Sequence, residues 1–576
     1  MAGSQDTLVR GALRHSPGRC VALCLLAVGS AGAELLLPYA LGRTLDALFA
    51  AHAAGAADSL GGEAGRWLPA AGALVAVLVL LGAAEDVLTG TTNARTTAWL
   101  RHRLLGHTLA AGPRVAGRLP TGDLVARLVG GAGQAGPGPA IVATLFATLV
   151  TPAGAALALG LIDPWLALAL LTGAPALALL LRSFARASSG CVASYLRAQA
   201  DIAARLTEAI GGARTIAAAH TADREAARIL EPLPELAHQG RRMWRVQGRA
   251  SAGAVALAPL LQIAVVALAG LFLLHGRLSV GELLAASRYV VLATGVGVLV
   301  GDMAGLIRAR AAGRRLDEVL KTPVPTYGHA QLPAAGGRLE LRGVTVRHAG
   351  RTVLDRVDLT VPAGATVAVV GASGAGKSSL AAIAGRLADP DEGVVLLDGV
   401  PLPELGRADL RRAIGYAFER PALLGDTLAD TVALGPRPRA REDIVRAVRA
   451  AHADGFVRRL PRGYDTPCSD APLSGGEVQR LGLARAFAHG GRLLVLDDAL
   501  SSLDVLTERE IATALLECVA GTARLVVAHR ATTAARADSV AWLDGGRIRA
   551  LGPHARLWTM PGYRAVFAAG GEDERG

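Results

Sequence analysis

The sequence predicts a multidomain chain: an all-α bundle of six transmembrane helices, then an α/β domain built on a phosphate-cradling loop and carrying a helical subdomain. Three observations predict it. Six apolar stretches lie between residues 19 and 305, each near the ~20 residues that cross a hydrocarbon core of about 30 Å. From residue 338 the pattern changes to short strands, among which stands a complete G-x-x-x-x-G-K-S at Gly371–Ser378. The composition agrees: 52% hydrophobic, 4% aromatic and a mean hydropathy of +0.38 are too apolar for an average soluble enzyme. At 576 residues the chain is also too long for one ordinary core.

The apolar stretches are 19–41, 66–90, 139–161, 164–184, 251–274 and 281–305. Arg10, Arg14 and Arg19 before the first, and "AGA" within it, give it the look of a signal peptide. Five further spans and the continuing "LLLPYALGRTLDAL" argue against cleavage. Tight turns, "IDPW" and "HGRLSVG", join spans three to four and five to six. Long helix-like stretches, 91–138 and 185–250, join two to three and four to five. Both long stretches are rich in arginine, Arg118 and Arg127 among them, so they belong on the cytoplasmic side of the plasma membrane together with both termini. Within them "RLPTGDLVARLVGG" (118–131) and "EAIGGARTIAAAHTADREAAR" (208–228) each carry a glycine that breaks the helical pattern. Glu34, Glu85, Asp86 and Asp302 are acidic positions inside the spans. Burying charge in a membrane is costly, so such groups face a cavity, a substrate or one another, or pair with nearby arginines.

The formal charge of +12 raises the possibility of nucleic acid, but of 60 Lys+Arg only Lys321 and Lys377 are lysine. No basic strip studded with aromatics appears, and no nucleic-acid partner is expected. Five scattered cysteines suggest neither a disulfide framework nor a metal site. The boundaries read as a cytoplasmic segment at 1–18, a membrane domain at 19–316, a Pro/Gly-containing linker at 317–337, a nucleotide-binding domain at 338–570 and a tail at 571–576.

The phosphate loop follows the Val-rich "TVAVV" and precedes the helical "SSLAAIAGRL". That context lets backbone N–H groups around Gly371, Ser373, Gly374 and Gly376 close on phosphates at a helix N-terminus. Lys377 then reaches the terminal phosphates, Ser378 ligates Mg²⁺, and Ser379 continues the cradle. "LSGGEVQRLGLARA" (473–486) places Ser474, Gly475, Gly476 and Glu477 at the head of a second helix, another anion site. One nucleotide does not need both, so the second caps a nucleotide held by another subunit. "LLVLDDALSSLD" (493–504) runs a buried strand into Asp497 and Asp498, and "RLVVAHR" (524–530) ends a strand at His529.

In this order, over residues 19–570, the motifs resemble those of an ABC exporter half-transporter, a six-span membrane domain fused to an ATPase domain. The resemblance implies ATP and Mg²⁺ as ligands, Asp497 as the magnesium-site carboxylate, Asp498 in the general-base position, Ser501 to Asp504 as the D-loop and His529 as the switch histidine. It implies a dimer closing on two ATP molecules between each phosphate loop and the opposing LSGGE, with the glycines near 122 and 211–212 where cytoplasmic loops dock. Membrane lipid and a small or amphipathic cargo, such as a natural product, peptide or lipid-like molecule, follow as partners.

Three residues depart from the family pattern. His348 replaces the aromatic that stacks on adenine and offers less stacking area. Glu419 replaces a glutamine; it can approach Mg²⁺ through oxygen but adds negative charge. Asp498 replaces glutamate and is one methylene, about 1.5 Å, shorter. "GYDTPCSDAPLSGG" before the signature also looks shorter than usual. A general base must sit about 2.6–3.2 Å from its water, and a misplacement of about 1 Å can cost on the order of 100-fold. The expectation is a site that binds ATP well and hydrolyses it slowly, in a chain that pairs with a different, Glu-bearing half-transporter to export its cargo. The alternatives are a homodimer using Asp498 assisted by Glu419, inward transport, and an ATP-gated regulatory membrane protein.

Overall fold

The computed structural model describes residue 11 and residues 16–53, 63–116, 119–334, 336–348, 350–501, 503–518 and 521–568. Arg10, Arg14, Arg118, Ser502, most of the 1–18 segment and the 571–576 tail lie outside the described residues. The chain divides into two compact units at Val324/Pro325.

Among the described residues the regular elements of the first unit are helices, including α1 Pro17–Ala53, α2 Glu63–Ala111, α3 Thr121–Ala126, α4 Gly138–Ile162, α5 Pro164–Leu171, α6 Ala174–Gly211, α7 Ala222–Leu230, α8 Leu233–Leu274, α9 Val280–Ala293 and α10 Val296–Leu320. Among the described residues five helical runs are each long and apolar enough to cross a membrane: Pro17–His52, Gly65–Ala111, Thr121–Ile162, Pro164–Gly211 and Ala222–Leu274. Side chains such as Leu80, Leu161, Leu179 and Ile263 stay exposed on them, which hydrocarbon surroundings favour as water does not.

Two apolar stretches differ from uninterrupted helices. The fourth is α5 and α6, parted at Thr172–Gly173, and the sixth is α9 and α10, parted at Thr294–Gly295. Hydropathy sees length and composition, not the glycine turns that divide these segments. The two short turns are tied together. Asp163 caps α5 by accepting from the Trp165 N–H at 2.9 Å and pairs with Arg277 at 2.5 Å. A capping box of Ser279 and Glu282 starts α9, and the Asp46 carboxylate accepts from the Ser279 hydroxyl and the Gly281 N–H, each at 2.7 Å.

Gly122 does not break a helix, as the sequence pattern suggests; it lies within α3, and the break is at Leu119–Pro120. Its task is close approach: a Cβ there meets Thr207 Oγ1 at 2.6 Å. At 211–212 the glycines do end α6. Beside α3, Asp123 accepts from Arg127 at 2.8 Å and Arg315 at 2.7 Å, and Arg127 also pairs with Glu318 at 2.7 Å.

The second unit holds two sheets. One is antiparallel, ordered β2-β1-β4-β5, from β1 Leu339–His348, β2 Arg351–Val361, β4 Glu392–Leu397 and β5 Val400–Pro401. The other is ordered β10-β9-β3-β8-β7-β6, from β3 Thr366–Val370, β6 Ile414–Phe418, β7 Leu493–Asp497, β8 Ala523–Val527, β9 Ser539–Asp544 and β10 Arg547–Gly552. Of its five pairings, β9–β10 is antiparallel and the other four are parallel. All five residues of β3 and of β8 are buried, as strands covered on both faces must be. Helix α11 Lys377–Ala384 follows β3.

A helical subdomain, with α12 Leu428–Ala433, α13 Arg441–Ala450 and α14 Gly475–His489, shares a core of Val432, Val448, Phe456 and Leu481 with Leu494 and Leu496 of β7. Before β1, residues of the sequence-defined linker divide between neighbours. Residues 317–320 complete α10, whereas Gly328 and Ala330 donate to the Pro403 and Glu404 carbonyls and Tyr327 lies under Arg386, 4.5 Å from its guanidinium.

Candidate nucleotide site

Parallel α/β sheets expose their ligand crevice at the carboxyl ends of the strands, and β3, β7 and β8 bring three motifs there. After β3 the loop turns through Gly374 at φ +78° and Gly376 at φ +102°, conformations that glycine adopts without Cβ strain. A Cβ on Gly371 meets the Leu543 carbonyl oxygen at 2.2 Å, so the loop is packed onto β9 at its base. Ser373 and Ser378 are exposed and Ser379 half-buried. Lys377 is buried, and its ammonium donates to the carbonyls of Gly371 at 2.8 Å and Ala372 at 3.0 Å. Burial lowers its pKa, opposed by Asp498 and Asp497.

Strand β7 ends at Asp497, whose Oδ2 accepts from the Tyr416 hydroxyl at 3.1 Å. Oδ1 is buried with no hydrogen-bond partner. A carboxylate oxygen so placed, with the Ser378 hydroxyl from the loop, suits an oxygen-seeking dication. Asp498 follows at φ +53°, a left-handed backbone that aspartate tolerates better than most side chains. Its Oδ2 lies 3.6 Å from His529 Nε2. Burial raises the Asp498 pKa; His529 works against this, and the charges of Glu419 and Asp497 add to it. His529 itself stands two residues beyond the end of β8, half exposed, rather than on the strand.

Glu419 is exposed just after β6, 3.5 Å from Arg420, while its carbonyl accepts from Gln479. His348 is the exposed last residue of β1. At the head of α14, Ser474 and Glu477 form a reciprocal cap. The Glu477 carboxylate takes the Ser474 N–H at 2.8 Å and its hydroxyl at 2.9 Å, and this backbone hydrogen bond holds the Glu477 pKa below the usual range. Gly475 and Gly476 open the helix behind it.

Two residues escaped the sequence reading. Tyr416 shows its need for a partner only as a lone hydroxyl in "IGYAF". Gln479, 2% exposed, donates to the Glu419 carbonyl at 3.3 Å and the Asp498 carbonyl at 3.2 Å, linking α14 to both loops. A glutamine between Val478 and Leu481 was the available signal.

The whole sequence settles the family. Residues 20–295 match the family model of the ABC transporter transmembrane region and 354–501 that of the ABC transporter. The chain is 53% identical over 559 residues, 96% of its length and 86% of the relative's, to the ABC transporter ATP-binding protein RamA of Streptomyces coelicolor. The chain is an ABC exporter half-transporter.

This half-transporter is also 30% identical over 87% of both chains to the ATP-dependent lipid A-core flippase of Chromobacterium violaceum. It is 36% identical to that of Pseudomonas aeruginosa, there over 55% of each chain. The structure of a bacterial Atm1-family ABC exporter with ATP bound has the same fold, with a TM-score of 0.81 over 97% of this chain and 99% of that one at 22% identity. The ABC half-transporter is therefore a multi-pass membrane protein that binds nucleotide and couples ATP hydrolysis to transport.

Proposed function

We propose that this chain is the slow-site subunit of a two-chain exporter, moving a small or amphipathic molecule, such as a natural product, peptide or lipid-like compound, out of the cytoplasm across the plasma membrane. ATP sits on Gly371, Ser373, Gly374, Gly376, Lys377, Ser378 and Ser379, with His348 at the adenine. Mg²⁺ is held by Ser378 and Asp497, with Glu419 near it, and supplies charge neutralisation for the phosphates. Asp498 is the base that orients water, and His529 steadies the terminal phosphate. Ser474, Gly475, Gly476 and Glu477 cap the nucleotide of the partner subunit, whose own glutamate-bearing site runs fast. Both termini and the ATPase domain are cytoplasmic.

The observation that carries this reading is the Asp498 carboxylate. It is short by one methylene and drawn toward His529, where a general base needs reach. A full complement of nucleotide-loop, Asp497 and signature residues alongside it supports binding and capping rather than loss of both.

The test is to coexpress the chain with two different tags and reconstitute it in nanodiscs. The reading expects tight ATP retention, few doubly tagged particles and turnover well below that of a glutamate-bearing exporter. Abundant doubly tagged dimers turning over at full exporter rates would establish the homodimer instead.

A further inference from the structure

In the membrane unit two breaks between helices and one helix-interior proline line a single cavity, and a second helix-interior proline is the chain neighbour of its lining residue Ala258. Pro152 lies inside α4 and Pro259 inside α8; Thr172–Gly173 part α5 from α6, and Thr294–Gly295 part α9 from α10. A cavity of about 210 Å³ is lined there by Pro152, Leu171, Gly173, Ala258, Leu261 and Thr294. Broken backbone at membrane depth persists only where it is buried in protein or lines a cavity, and paired interruptions point to binding sites. This cavity's lining is almost wholly apolar.

A second cavity, of about 300 Å³, shares Pro152 and continues past Gly295 to Glu34, Glu85, Thr144, Thr148 and Thr151. Its chemistry is the opposite. Thr151 donates to Glu34 at 3.4 Å and Thr148 to Asp302 at 3.2 Å. Among the described residues none of Glu34, Glu85 and Asp302 has an ion-pair partner. Carboxylates among membrane helices are expensive until a cation joins them. Among the described residues the bundle supplies none here, so a ligand bearing one gains the most.

We propose that the two adjoining cavities, which share Pro152, form a binding site for an amphipathic cation, with its amine or guanidinium against Glu34 and Glu85 and its apolar part between the broken helices at Gly173 and Thr294. This rests on the exporter reading above and narrows its cargo class.

The experiment uses the full chain in nanodiscs of zwitterionic lipid, without nucleotide, and radiolabelled dodecyltrimethylammonium as the probe. Unlabelled probe should displace the label at a concentration at least about tenfold lower than dodecyl sulfate of the same chain length. The double variant E34Q/E85Q should weaken cation binding by about tenfold. Ala258→Phe, which narrows the apolar cavity and leaves the carboxylates in place, should weaken it too. Equal displacement by cation and anion, or unchanged cation binding in E34Q/E85Q, overturns the proposal. If the double variant does not fold, the charge preference of the native chain and the Ala258→Phe result decide. ATP retention is measured on the same particles, so that loss of the cation site with intact ATP retention sinks this inference and leaves the exporter reading standing.

Discussion

Asp498 combines a left-handed backbone, a short side chain and four acidic or basic neighbours, His529, Glu419, Asp497 and Lys377, and its charge state has a readable signature. Its pKa is raised chiefly by burial, so the ionised form is penalised in the folded state. The sign follows by linkage: relative stability is present below the ordinary aspartate value of about 3.9 and lost as pH rises through the folded-state value. Asp498→Asn should therefore raise the unfolding temperature of the nucleotide-free protein at pH 7 to 8. The difference should vanish as pH approaches 4, and calorimetry across that range checks it. A constant difference at every pH would assign the effect to packing instead. Nucleotide retention should survive this substitution, because Lys377 and the glycine loop are untouched.

At the scale of elements, the loop after β3 and the network on α3 make the sharpest claims. Gly371→Ala pushes a methyl into the Leu543 carbonyl at 2.2 Å. Overpacking of this kind costs about 1–3 kcal/mol, so the variant should unfold at lower denaturant and bind ATP weakly. Equal denaturation midpoints would mean that the loop moves freely away from β9. In the membrane unit, Asp123→Ala leaves Arg127 and Arg315 without the carboxylate between them. Removing one partner of a buried pair costs about 3–5 kcal/mol; Arg315 is partly exposed, which puts the expected loss at the lower end. Thermal unfolding in detergent reads it, with Asp123→Glu as the partial rescue.

These elements also show what the sequence held. The run of spans, the strand before Gly371 and the carboxylates after β7 were legible because hydropathy and motif spacing are local signals. The breaks at Thr172–Gly173 and Thr294–Gly295 were not, since a glycine or threonine in an apolar run has the same hydropathy whether the helix continues or turns. Gly122 was misread for a related reason: its role is set by Thr207, 85 positions away in the chain, and no local pattern carries that. Tyr416 and Gln479 were missed because a buried polar group declares itself only through the partner that the fold supplies.

For the whole molecule, nucleotide capture and the membrane bundle belong to two units joined at Val324/Pro325, and the proposed pairing makes a claim about turnover. Adding a purified glutamate-bearing half-transporter with which the chain pairs should raise ATP turnover per chain. On the proposed pairing, the chain's own phosphate-loop variant Lys377→Ala should then remove little of that gain, because that proposal puts the fast site on the partner. The most direct measurement is single-turnover hydrolysis of ATP at this chain's phosphate loop in nanodiscs holding the dimer, with the other subunit's own site silenced, comparing the native chain with Asp498→Glu at matched ATP occupancy. Restoring the missing methylene should speed hydrolysis by about tenfold or more, within the roughly 100-fold that a displacement of about 1 Å can cost. An unchanged or slower rate in Asp498→Glu, with ATP still bound, would contradict the claim that this carboxylate's reach sets the pace of the site.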